Sequence, residues 1–230
     1  MESTRFVGLS LLASALQLII VAPVPAAVVE VNVCGQIVPK QTRAFLAADL
    51  NCVGYDGDAV VLGAGSRLEL RGFTLSGGSF GIHCTQPCPH DETHNCSARC
   101  RVDGGGGTIT AAENTAILAD KVRVENVMID GNGGRGIDSA GRAAVKDAIV
   151  TNNGGTGISG RGVTANRVTV TGNATGIDAG TNKGARVRNS IVTGNGVADI
   201  GCGKPPRVRN SECGRSFRPG GGNWGVCTFD

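Results

Sequence analysis

Aromatic residues are scarce in this chain: one Trp, one Tyr and six Phe make up 3% of 230 residues. A packed globular core usually leans on several buried rings, and sugar sites use Trp or Tyr as stacking platforms, so both become unattractive readings. Charge of one sign is also lacking. The formal net charge is +3, too small an excess to argue for nucleic acid. The glycine run Gly104 to Gly107 is not followed by Lys-Ser or Lys-Thr, which makes it a turn and not a phosphate loop. Past the first 26 residues, no apolar run approaches the roughly 17–25 residues that span a bilayer.

What the chain has in abundance is glycine, 37 residues, and cysteine, nine. Residues 1–26 read as a secretory signal, with Arg5 near the start, an apolar run from Phe6 to Ala22 and Val24-Pro25-Ala26 as the cleavage site. An uncleaved anchor is the competing reading. Cleavage removes Glu2 and Arg5, so the charge stays +3. Nine cysteines behind an export signal imply disulfides and a secreted or periplasmic location. The odd count leaves at least one thiol unpaired or intermolecular.

From Val122 to Cys202 one pattern recurs four times: a β-branched run, a turn with asparagine, then Gly-Ile or Asp-Ile. The asparagines are Asn132, Asn153, Asn173 and Asn195. A period near 20 built from short β-branched runs and Gly-Asn turns is the mark of a solenoid. The isoleucine-type positions are Val60, Ile82, Ile117, Ile137, Ile158, Ile177 and Ile200. Only the step from Ile82 to Ile117 breaks the period, where an inserted loop, 83–100, carries four cysteines and all three histidines. Seven rungs at about 4.8 Å give a rod roughly 34 Å long.

Alternation assigns faces. Ile129, Val150, Val170 and Val192 form one inward column, and Val124, Val145, Ala165, Val187 and Val208 a second. The asparagines align at a corner, where that residue tolerates left-handed backbone and can bond its stacked neighbours. Residues 27–58 read as an N-terminal cap stapled by Cys34–Cys52, a loop closure worth about 3 kcal/mol. The β-helix itself occupies 59–202. Residues 203–230 read as a C-terminal cap closed by Cys213–Cys227, with Trp224 over the last rung. Within the inserted loop, nested bridges Cys84–Cys100 and Cys88–Cys96 explain the symmetric spacing. Zinc held by the same cysteines with His83, His90 and His94 is the alternative.

Several stretches carry a resemblance: Cys34-Gly35 with Ala48 to Cys52, Leu68 to Gly78, the repeated Thr-Gly-Asn and Thr-Gly-Ile-Asp turns, and Trp224 to Cys227. They resemble right-handed parallel β-helix proteins of the pectin-lyase-like superfamily, and more closely a set of exported bacterial β-helix proteins of unknown function. The resemblance implies an all-β, single-stranded right-handed parallel β-helix with disulfide-stapled caps. It is silent on activity, because that superfamily includes lyases, hydrolases, esterases, adhesins and inert scaffolds.

Three outer features are candidate sites. Asp138 and Asp178 follow Gly-Ile in alternate rungs with Ser159 between, about 9.6 Å apart along the stack, close to the carboxyl spacing of inverting glycosidases. Neither has an adjacent aspartate or a matched histidine, so solvated turn residues are the simpler reading. Arg71, Lys146, Arg188 and Arg209 are equivalent by repeat, flanked by Arg123, Arg186 and Arg207, and form a basic column suited to an acidic polysaccharide or cell-surface glycan. Glu69, Glu125 and Asn166 interrupt it, so ordinary solvated strand faces compete. A third face, from Thr74 and Ser76 to Ile191 and Thr193, is nearly uncharged and suits a partner surface or plain β-propensity. The resulting expectation is a secreted, non-catalytic β-helix that binds a glycan or surface component, or is structural, with no metal or cofactor. The alternative is a polysaccharide lyase or glycoside hydrolase.

Overall fold

The computed structural model describes residues 28–85, 99–228 and 230. These residues form short strands and no helix, joined by parallel pairings into one sheet of 15 strands and another of nine. The result is a parallel β-solenoid of about eight turns. The signal segment 1–26 lies outside the described residues. Among the described residues no helix is long and apolar enough to cross a membrane.

The rungs stack because inward columns keep their register. Leu68, Val102, Val124, Val145, Ala165, Val187 and Val208 are successive partners along one column. Leu75, Ile109, Ile129, Val150, Val170, Val192 and Cys213 form another. In the nine-stranded sheet, Val60, Ile82, Ile117, Ile137, Ile158, Ile177 and Ile200 are in register and fully buried. Like stacked on like fills a narrow interior without rings, since each side chain meets a copy of its own shape. The expected seven rungs become nine strands bounding about eight turns, because this column continues to Gln36 before Val60 and Ser216 after Ile200. Neither residue carries the apolar signature by which rungs were counted.

Two residue choices shape the corners. A Cβ on Gly136, Gly157 or Gly176 would lie 2.6, 2.9 or 2.5 Å from a carbonyl oxygen of the following coil, so only glycine can precede these isoleucines. At the opposite corner Asn126, Asp147, Arg167, Asn189 and Asn210 all hold φ between 48° and 55°. Asparagine and aspartate tolerate that left-handed conformation best among residues with a side chain.

The aligned asparagines form a continuous ladder. Asn132 Nδ2 donates to Asn153 Oδ1 at 2.8 Å, Asn153 to Asn173 at 2.9 Å, Asn173 to Asn195 at 3.1 Å, and Asn195 to Asp199 Oδ1 at 2.8 Å. Each acceptor oxygen also takes the backbone N–H of the asparagine whose amide donates to it. Arg215 N–H then bonds the second Asp199 oxygen. Asn132, Asn153, Asn173 and Asp199 are buried, and the ladder satisfies polar groups that would otherwise be costly there.

Residues 28–52, within the stretch 27–58 expected as a cap, run in register with the body: 28–31 pair with 43–46, 36–38 with 60–62 and 50–52 with 75–77. Cys34 and Cys52 are bridged. At the other end Cys213 and Cys227 are bridged, and Trp224 packs on the core with Nε1 donating to the Cys202 carbonyl at 3.1 Å. The Asp230 side chain gathers the N–H groups of Ser216, Val226 and Cys227 and the Ser216 hydroxyl. Burial raises its pKa, but these donors more than offset that and hold it below the usual range.

The inserted loop requires a correction. Cys84 and Cys100 are free thiols, both buried, and not a bridge. They flank the corner between the two sheets and touch as hydrogen-bond partners; that contact, then burial, pushes the Cys84 thiol well above its ordinary range. Cys88, His90, His94 and Cys96 lie outside the described residues, with the second bridge and the zinc alternative. His83 is described, and its Nδ1 lies 2.6 Å from Asp58.

Candidate basic face and corner cleft

The outer face of the first half of each rung is written in arginine. Arg43, Arg67, Arg101, Arg123, Ala144, Thr164, Arg186 and Arg207 are successive partners in one column. Two residues further along each strand runs a second column: Glu69, Asp103, Glu125, Lys146, Asn166, Arg188 and Arg209. The expected basic column therefore changes sign along its length. Lys146, Arg188 and Arg209 belong to it, whereas Arg71 does not and Glu69 takes its place.

The displacement of Arg71 has a geometric cause. Counting from the inward residue of one strand to that of the next, the coils from Val124 onward take five residues, as from Val145 to Val150, while Val102 to Ile109 takes seven. The coil from Leu68 to Leu75 takes seven, so alignment on its second strand misplaces everything in the first. Arg71 sits on the corner at φ 56°, with its guanidinium 3.6 Å from the Phe45 ring centroid. That cation–π contact gives it a local partner.

In the N-terminal half the two columns neutralise each other. Arg43 and Arg67 lie 2.8 and 3.1 Å from Glu69, Arg67 lies 2.8 Å from Asp103, and Arg101 and Arg123 lie 2.6 and 2.5 Å from Glu125. The Arg43 hydrogen bond holds the Glu69 carboxyl below its usual range against the effect of burial. Burial pushes Glu125 up, and Arg123 and Arg101 together pull it below the usual range. Lys146 is also occupied, 3.4 Å from Asp147, whose carboxyl is held low first by its hydrogen bond to Arg167.

The C-terminal half has no such partner. Strand 186–188 carries Arg186 and Arg188 outward, strand 207–209 carries Arg207 and Arg209, and the two are in register. This is a two-by-two array with about 4.8 Å between strands. All four are exposed, and none forms an ion pair with a described carboxylate. Beside the array lies a cleft of about 490 Å³ along the corner that feeds these strands. Its lining includes Arg142, Arg161, Lys183, Arg186, Lys204 and Arg207 and no carboxylate. Counting back from the paired strands, Arg161, Lys183 and Lys204 are one residue per rung in one row, and Lys204 N–H bonds the Lys183 carbonyl. Gly184 keeps the floor low, for a Cβ there would meet the Pro205 oxygen at 2.8 Å. Arg142, Arg161, Lys183 and Lys204 did not figure among the sequence candidates. Their signal was a cation recurring at 161, 183 and 204, in corner loops of unequal length that carry no other repeat.

Asp138, Ser159 and Asp178 are in one outer column, as their spacing implies. Each carboxylate has a local occupation. Asp138 lies 2.6 Å from Arg135, and Asp178 accepts the Gly180 N–H at 2.8 Å, closing its own turn. Asp178 also borders a smaller cavity of about 220 Å³ with the buried, free Cys202, whose thiol is pushed up by burial and by the Asp178 charge. The weakly charged face is present as a column of Thr74, Thr108, Met128, Ile149, Thr169 and Ile191.

Comparison with known proteins leaves this geometry to stand alone: no family model, no curated protein and no solved structure matches the chain.

Proposed function

We propose that the protein is a secreted, non-catalytic β-helix that binds an acidic glycan along the C-terminal part of its arginine face. The observation that carries this reading is the array Arg186, Arg188, Arg207 and Arg209, exposed and without a described carboxylate partner. Arginine presents a planar fork that matches carboxylate, sulfate and phosphate oxygens two at a time. With one Trp and one Tyr in the whole chain, charge and hydrogen bonding carry recognition, not ring stacking. The bridges at both ends agree with export, as does the pectin-lyase-like resemblance of the repeats. Engagement of Asp138 by Arg135 and of Asp178 by its own turn speaks for a binding surface over a hydrolase.

Chromatography on heparin and polygalacturonate resins tests the reading. The oxidised protein is expected to be retained at low salt and released as salt rises, because exposed charges are screened. Arg188→Ala with Arg209→Ala is expected to elute at markedly lower salt. Passage of the unaltered protein through both resins at low salt would overturn the proposal.

A further inference from the structure

Building on the acidic-glycan reading, we infer that the corner cleft selects glycans bearing sulfate or phosphate esters over glycans whose only charges are uronate carboxylates. The argument is one of charge density. Six cations, Arg142, Arg161, Lys183, Arg186, Lys204 and Arg207, line about 490 Å³ with no carboxylate among them. At roughly 30 Å³ per water, that volume holds about sixteen waters, room for only a few sugar rings. A uronate brings one charge per ring, so a carboxylate polymer filling the cleft leaves most of the six cations facing one another uncompensated. A ring can carry several sulfate esters at one charge each, and a phosphate monoester alone carries about −1.5 to −2.

The geometry of the two rows favours the same groups. Arg161, Lys183 and Lys204 form the corner row, while Arg186 and Arg207 stand three residues further on at the start of their strands. Gly184 and Ala185 lie between them in one coil and Pro205 and Pro206 in the next, a floor without charge. A tetrahedral oxyanion on that floor offers three terminal oxygens, enough to face both rows at once, whereas a planar carboxylate offers two in one plane. The next array, Arg188 and Arg209, lies outside the cleft and serves either kind of anion.

Calorimetry at one fixed ionic strength would compare three hexasaccharides: sulfated maltohexaose, phosphorylated maltohexaose and hexagalacturonate. At least one ester is expected to bind about tenfold more tightly than the uronate, and the tighter of the two identifies the ester. In Arg161→Ser/Lys183→Ser/Lys204→Ser the advantage is expected to fall to within about twofold while uronate affinity changes little. As a control for general basicity, Lys40→Ser/Arg71→Ser, in the N-terminal coils away from the cleft, is expected to leave the advantage in place. Equal affinity for all three ligands, or an advantage that survives the triple substitution, would overturn the inference and leave glycan binding standing. Absence of binding by all three would instead overturn the acidic-glycan reading itself.

Discussion

The two halves of the arginine face use the same strand position, the same register and the same residue, yet they do different work. In coils from Arg43 to Arg123 each guanidinium has a carboxylate one column away, and the charges close on themselves. In the coils of Arg186 and Arg207 the neighbouring column holds Arg188 and Arg209. A solenoid permits this because each rung's outer face is independent of its inner one. Arg186 and Arg123 flank equally buried valines, Val187 and Val124. The outer chemistry can therefore change from structural to receptive without repacking the core. It also explains how a chain of net charge +3 presents a strongly basic surface: the carboxylates are segregated, not absent.

The comparison assumes one cooperative body. Asn153→Ala removes the acceptor for Asn132 and the donor to Asn173, and should cost about 2–3 kcal/mol for the buried groups left unpaired. Urea unfolding would measure this, and it should remain a single transition. Two transitions would mean that the halves fold separately and that their difference is a domain difference.

Removing charge should then act unequally in the two halves. Glu125→Ala strands Arg101 and Arg123 and should destabilise by about 1 kcal/mol, a modest figure because both guanidinia are partly solvated. Arg188→Ala should change stability by less than about 0.5 kcal/mol. Equal losses in thermal melts would erase the distinction.

Acid should discriminate between the halves as well. Glu69 and Glu125 have pKa values lowered in the folded protein. Their stabilisation is therefore complete above the ordinary glutamate value of about 4.3 and is lost as pH falls through the lower folded values. Hydrogen exchange at pH 6 and pH 3 should show strands 99–103 and 121–125 losing protection before strands 186–188 and 207–209. Arg188→Glu would sharpen the comparison most finely, since it transplants the N-terminal pattern beside Arg186 and Arg209. It should raise stability by about 0.5 kcal/mol or less while markedly lowering the salt at which the protein leaves heparin.

Most of the fold could be read from residues because its logic is repetition. The valine columns, the Gly-Ile column and the asparagine corner are stacked identities, and their register followed from spacing alone. The outermost coils read as caps because Gln36 and Ser216 occupy the isoleucine column at its two ends, where no further described coil pairs with them. Arg188, Arg209 and Lys146 were placed correctly on one column, and Arg71 was not, because two extra corner residues shift its coil. The cleft was illegible for a related reason: it is lined from loops whose lengths differ, so its cations share a place in space without sharing a pattern in sequence. The Cys84–Cys100 bridge was inferred from symmetric spacing, which records proximity and not oxidation state.

The asparagine ladder has a direction. From side chain to side chain every amide donates toward the C-terminus, while also reaching back to a carbonyl of the coil before it, and the last finds Asp199, which as a carboxylate accepts from Asn195 and Arg215 and has no amide hydrogen to pass on. A duplicated coil inserted between Asn153 and Asn173 would meet an acceptor ahead and a donor behind, and would join without leaving either group unpaired. A coil appended beyond Asp199 would meet a chain terminator. The lineage of such a protein can thus lengthen by duplication in its middle while its C-terminal end stays fixed, and with it the spacing between the arginine array and the closing tryptophan.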